Sequence, residues 1–237
     1  MTELTIPAWL NGPPDSANGG IAAGRLAAFV TGASSDGRPS AVTVTLRRPP
    51  PLDTAMDVEA FAGGVSLRHD GELVASAEPA ESATASIEPV PAVDFETAAE
   101  AATRFGGFSD HPFPTCVGCG TERPDGLACH AGPVDPDRVD YVATPFVRRP
   151  HHPGDLALTW AALDCAGGWS IGLAGRRAVL GRMTALITEV PAIGEQCVVV
   201  ARCDGWDGRK AYSRSTGYGA DGRVLGVTSA TWIELKS

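Results

Sequence analysis

Between residues 156 and 171 the chain is apolar except for Thr159, Asp164 and Ser170. A helix apolar nearly all round is a buried one, so Asp164 is a carboxylate carried into a core. Burying an unpaired carboxylate is costly, so it must find strong donors or hold its proton to higher pH. Either outcome suits a general base or a nucleophile working near neutral pH. A structural acid paired with an arginine such as Arg182 fits the same pattern, and both readings stay open here. A second group is Asn18-Gly19-Gly20, which opens an Ala/Leu-rich segment over residues 21–30. Backbone N–H groups at a glycine-flanked helix start, at the positive end of the dipole, can hold a developing oxyanion. The same three residues also make an ordinary turn and N-cap.

The third group is Cys116-Val117-Gly118-Cys119-Gly120, with His111 before it and Cys129-His130 after it. Zinc takes four nitrogen or sulfur ligands, and these five candidates are close in sequence. A second Cys-x-x-Cys is missing, however, and adjacent residues such as Cys129 and His130 diverge on a strand. A thioredoxin-like βαβ context is also lacking. The expectation is therefore a tight structural loop between the halves with no metal assigned, zinc binding by Cys116 and Cys119 staying open as the alternative. His151-His152 before Pro153-Gly154 reads as a loop at the start of the second apolar helix.

The elements that carry these groups occur in the same order twice. In the first half a helix over 21–30 precedes β-type runs at 41–46, 56–61, 65–68 and 73–77. In the second half a strand at 141–147 leads into a helix over 155–173, and strands follow at 179–188, 196–202, 211–218 and 224–235. Residues 51–58 resemble 191–198. Asp70-Gly71-Glu72-Leu73-Val74 resembles Asp221-Gly222-Arg223-Val224-Leu225, each at a hairpin-type Asp-Gly. The second copy is longer by a hairpin carrying Trp206-Asp207-Gly208. Internal duplication places one unit at 1–80, a linker at 81–112 and a second unit at 113–237. Residues 78–91 read as extended linker and 95–105 as a short surface helix.

A helix followed by several antiparallel strands that wrap it is similar to the hotdog fold. The whole chain resembles a tandem, or double, hotdog of the acyl-CoA thioesterase superfamily. Asn18-Gly19-Gly20 resembles the His-Gly-Gly turn of phenylacetate-degradation-type thioesterases, and Ala162-Leu163-Asp164 resembles their acidic helix segment. Each copy departs from the pattern: Ala27 stands where the first acid belongs, and Asp155-Leu156-Ala157 where the second glycine turn belongs. Paired hotdogs assemble a site from the turn of one unit and the acid of the other, so the resemblance implies one intact site and one degenerate site. It implies an α+β architecture with two long central helices wrapped by antiparallel sheet. Against the Asp, Thr and Gln trio of the thioesterase II family, Asp164 matches the Asp and Thr231 falls near the Gln. Thr184 stands nearest the Thr.

The function so implied is hydrolysis of an acyl-CoA or other acyl thioester. Asp164 would act as base or nucleophile, Gly19 and Gly20 as oxyanion donors, and Thr231 as a water-positioning hydroxyl. The acyl chain would lie between the helices near Ile21, Gly24, Trp160 and Gly168. A non-catalytic acyl-CoA or acyl-ligand binding protein is the alternative.

Bulk properties agree with such a chain. Its 237 residues carry a formal charge of −9 with 43% hydrophobic content, which disfavours nucleic acid as a partner. The longest apolar stretch is too interrupted for a membrane span. Met1-Thr2-Glu3-Leu4 enters mixed sequence without a charged-then-apolar leader, and six cysteines make no disulfide framework at this length. A cytoplasmic location is expected, with no cofactor, since phosphate loops and dinucleotide fingerprints are missing. Exposed sheet edges make a homodimer or higher oligomer the expected assembly.

Overall fold

The computed structural model describes residues 2–30, 40–80 and 87–236. Part of the expected linker over 78–91 therefore lies outside the described residues. In chain order the elements are β1 (Thr2–Leu4), α1 (Gly19–Ala27), β2 (Val42–Leu46), β3 (Met56–Phe61), β4 (Gly64–His69), β5 (Glu72–Pro79) and α2 (Phe95–Ala102). They continue with β6 (Gly132–Asp135), β7 (Arg138–Val147), α3 (Ala157–Ser170), β8 (Ala178–Ile187), β9 (Gln196–Asp207), β10 (Lys210–Tyr218) and β11 (Val224–Glu234). Both Asp-Gly pairs sit at turns, with Gly71 and Gly222 at positive φ, where a side chain would be strained.

The described strands form one antiparallel sheet in the order β1-β3-β4-β5-β2-β8-β11-β10-β9-β7-β6. The order runs inward and then outward again: β3-β4-β5-β2 of the first half meets β8-β11-β10-β9 of the second. The two halves join where β2 pairs with β8, from Val42 opposite Ala185 to Thr45 opposite Arg182. At this seam the hydroxyls of Thr43 and Thr184 lie 2.8 Å apart. Arg182 donates to Thr45 Oγ1 at 3.0 Å, so it is not the partner of Asp164.

The sheet wraps α1 and α3, which pack on each other. Every residue of α3 is buried, as its uninterrupted apolar sequence requires. The expectation of two long central helices needs correction, because α1 has 9 residues against 14 in α3. The amides of Phe29 and Val30 bond to the carbonyls of Leu26 and Ala27, three residues back. That tightened last turn ends the helix. Helix α2 covers the other face of the second half, where Ala98 and Ala101 form a small core with Val90, Ala143, Val198 and Val200. Among the described residues no helix is long and apolar enough to cross a membrane.

The two sequence stretches that mark the repeat in the second half are tied together by charge. Arg223, beside the Asp221-Gly222 turn, donates to Glu195 at 2.6 and 3.0 Å and also bonds Glu189 and Asp221. Glu195 further accepts the amides of Ala192 and Ala220. The Arg223 guanidinium holds the Glu195 carboxyl at about 2, from an ordinary 4.5. A depressed carboxylate pKa stabilises the fold above the unfolded value and loses that contribution as pH falls toward the folded one. Glu195→Gln is therefore expected to cost about 1 kcal/mol at pH 7. Thermal melts of the two proteins should differ at neutral pH and converge as pH falls from about 4.5 toward 2; a gap that persisted at the acid end would show that charge is not the cause.

Candidate active site

Asn18 caps α1: its Oδ1 accepts the Ile21 amide at 2.9 Å, and its backbone carbonyl accepts the Ala22 amide at 2.9 Å. The Ala22 bond is the first within the helix itself, and the Ile21 amide is one of the donors that a helix start leaves unpaired. The Gly20 amide, another of them, donates across the helix interface to Asp164 Oδ2 at 2.9 Å. The glycine turn of the first half and the acid of the second are thus in direct contact. Glycine is required for this approach. A Cβ at Gly20 would stand 2.6 Å from Ala161 Cα and 2.7 Å from Trp160 O, and one at Gly24 would stand 2.6 Å from Ala157 Cα.

Asp164 is 4% exposed, and its Oδ1 has no hydrogen-bond partner among the described residues. Burial pushes its pKa from 3.8 up to about 7, against the opposing pull of the Gly20 amide. The Gly19 amide has no partner among the described residues, and a Cβ on Gly19 would lie 3.4 Å from Asp164 Oδ2. A donor and a carboxylate therefore sit side by side.

Both open on a cavity of about 550 Å³ whose lining includes Asn18, Gly19, Asp164, Cys165, Gly168 and Trp169. The four α3 residues at 164, 165, 168 and 169 are spaced i, i+1, i+4 and i+5, one face of a helix. Leu173, Leu180 and Trp232 supply apolar lining, and Arg47, Arg48 and Pro50 also line the cavity. Arg48 is exposed and pairs with Glu72 at 2.7 Å.

The other residues singled out in the sequence fall differently. Trp160 is buried at the helix interface, where its Cδ1 would be 2.9 Å from a Cβ on Gly24, and it does not line the cavity. Ile21 is fully buried and Gly24 is closed off by Ala157. No acyl chain fits between helices this close, so the expected channel there is wrong; of its four residues only Gly168 reaches the cavity. Thr231 is half-buried on β11, opposite Arg182 and Tyr212, and is likewise outside the lining. Its role as a water-positioning hydroxyl has no geometric support. His152 is buried, with Nδ1 accepting the Arg149 amide at 3.1 Å and Nε2 3.2 Å from Gly126 O, which makes it a loop clamp.

The residue that sequence reasoning missed is Cys165. Its thiol groups with those of Cys116 and Cys119, the three sulfurs lying within 4.8 Å of one another, all buried. Asn18 Nδ2 donates to Cys116 Sγ at 3.6 Å and to Cys165 Sγ at 3.8 Å. The hydrogen bond from Cys119 holds Cys116 well below the ordinary thiol range, while Cys116 pushes Cys119 and Cys165 well above it. His111 lies outside the cluster: Nδ1 accepts the Phe113 amide and Nε2 is 3.0 Å from Cys119 O.

A helix pair inside one continuous antiparallel sheet, built from two halves of matching strand order, defines a double hotdog fold. Solved structures of the same kind agree with this over almost the whole chain. A tesB protein from Mycobacterium avium subspecies paratuberculosis superposes with a TM-score of 0.63 at 10% identity, covering 99% of this chain and 92% of that one. A putative thioesterase II from Thermobifida fusca YX gives 0.62 at 13% identity, covering 99% and 92%. A conserved hot dog fold protein of unknown function from Alicyclobacillus acidocaldarius gives 0.60 at 15% identity, covering 99% and 93%. No protein-family model matches the sequence, and no curated protein matches it.

Proposed function

We propose that the protein hydrolyses an acyl thioester at the junction of α1 and α3, with Asp164 as the general base. The observation that carries this reading is the bond between Gly20 N and Asp164 Oδ2, made beside a cavity bounded by apolar walls. It orients the carboxylate and leaves Oδ1 unengaged. In the proposed step the Asp164 carboxylate takes a proton from water as the water oxygen attacks the thioester carbonyl. The carbonyl oxygen gains charge opposite the Gly19 amide, at the positive end of α1. Collapse of the tetrahedral adduct breaks the C–S bond, and the proton held by Asp164 leaves with the thiolate as free thiol. A carboxylate whose pKa burial has raised is suited to this transfer near neutrality. The similarity in fold to proteins named as thioesterases supports the reaction class.

Arg47 and Arg48 at the cavity suit an acidic carrier such as CoA. Arg47→Ala is expected to raise KM for an acyl-CoA several-fold with kcat little changed, and added salt should narrow the gap between the proteins. Equal KM values for the two proteins would remove Arg47 from carrier binding.

The test of the function itself is thioester hydrolysis across short, medium, long and aromatic acyl-CoAs, comparing wild type with Asp164→Asn. Turnover of at least one class that the substitution removes is the expected result. A binding-only protein is the second reading, favoured by the position of Thr231 outside the cavity. Saturable acyl-CoA binding without turnover would establish it over hydrolysis.

A further inference from the structure

We infer that Cys116, Cys119 and Cys165 form a binding site for a thiophilic d10 cation, Zn²⁺ being the natural occupant, with its fourth coordination position opening on the cavity. The inference is independent of thioester hydrolysis.

Three features carry it. The first is convergence: the sulfurs arrive from two distant parts of the chain and still lie within 4.8 Å of one another. Tetrahedral zinc with Zn–S bonds of about 2.3 Å sets sulfurs about 3.8 Å apart, a spacing compatible with that limit. The second is the loop. Cys116 to Gly120 is a tight turn in which the Gly120 amide bonds Cys116 O at 2.8 Å and the Gly118 amide points at Cys116 Sγ at 3.4 Å. A Cβ on Gly118 would collide with Cys165 Sγ, and one on Gly120 would stand 2.5 Å from Pro114 O. Both glycines therefore let the loop fold down onto α3. The third is polarity. Cys116 Sγ faces two N–H donors, Gly118 N and Asn18 Nδ2, and Asn18 also reaches Cys165 Sγ. Amide donors aimed at sulfur are the surroundings of a thiolate ligand rather than of an apolar thiol.

All three cysteines line the cavity, so a water or another ligand arriving through it would complete the tetrahedron. Three protein ligands and one open position is the arrangement of zinc sites that exchange a ligand. On binding, each sulfur still protonated gives up its proton to solvent as it bonds the ion, with no change of oxidation state.

The test uses the full chain, reduced, stripped with a chelator and titrated with Co²⁺ and then Zn²⁺. Co²⁺ should give a thiolate-to-metal charge-transfer band and strong visible bands of tetrahedral type, saturating at one ion per chain and bleached by Zn²⁺. Cys165→Ser and Cys119→Ser should each weaken binding at least about tenfold, while Cys203→Ser, on β9 away from the cluster, should bind as wild type. Should a serine variant fail to fold, the wild-type spectrum and stoichiometry still decide the matter. Either no charge-transfer band from reduced wild type or a band unaltered by Cys165→Ser would overturn the site.

Discussion

Replacing Asp164 with asparagine is expected to lower kcat for thioester hydrolysis by about a hundredfold or more, while moving Tm by only a few degrees. Asparagine is nearly isosteric, and its carbonyl oxygen can accept the Gly20 amide that Oδ2 accepts now. The helix junction thus keeps its bond, whereas the side chain loses the ability to take a proton from water. Asp164→Ala should behave differently. It leaves the Gly20 amide buried and unpaired, at about 1–3 kcal/mol, and opens a void between the helices. Alanine should therefore lower Tm clearly, and asparagine should not. Steady-state kinetics with thermal melts on both variants separate the two roles. Asn retaining wild-type kcat would take Asp164 out of the chemistry and leave it a helix–helix tie.

The elements that position this acid were legible because their signals are local. Residues 156–171 carry an apolar pattern with one acid in it, and α3 is buried along its entire length as that pattern implies. The Asp-Gly turns marked hairpins because Gly71 and Gly222 need positive φ. The facing of Asn18-Gly19-Gly20 and Asp164 followed only from the resemblance to paired hotdogs, since 144 residues separate Gly20 from its acceptor. What stayed hidden depends on side-chain direction in three dimensions. Trp160 and Trp169 look equivalent on a helix apolar all round, yet one packs on Gly24 and the other lines the cavity. Cys165 reads as a small hydrophobe until the loop of Cys116 and Cys119 is seen lying on it. Thr231 falls near the family's Gln by its distance from the Asp221-Gly222 turn, but β11 carries an extra residue, Leu225, where its register with β10 shifts between Gly217 and Tyr218, so counting along the strand loses track of facing.

Gly20→Ala is expected to destabilise the protein by about 2 kcal/mol or more and to abolish most activity. A methyl group at this position meets Ala161 Cα at 2.6 Å and Asp164 Cβ and Trp160 O at 2.7 Å. Two of these are backbone atoms that no rotamer change can move, so α1 must withdraw from α3. Overpacking of this kind costs about 1–3 kcal/mol or more, of which the better helix propensity of alanine returns about 1. The withdrawal also lengthens the Gly20–Asp164 bond, so kcat should fall together with stability. Gly24→Ala is the internal comparison, because its methyl meets Ala157 Cα at 2.6 Å and the Trp160 ring at 2.9 Å, one turn away from the acid. It should lower Tm by a similar amount and spare much more of kcat. If both variants lost stability and activity in equal proportion, the Gly20 contact would be packing alone, and the orientation of Asp164 by that amide would have no separate part in the rate.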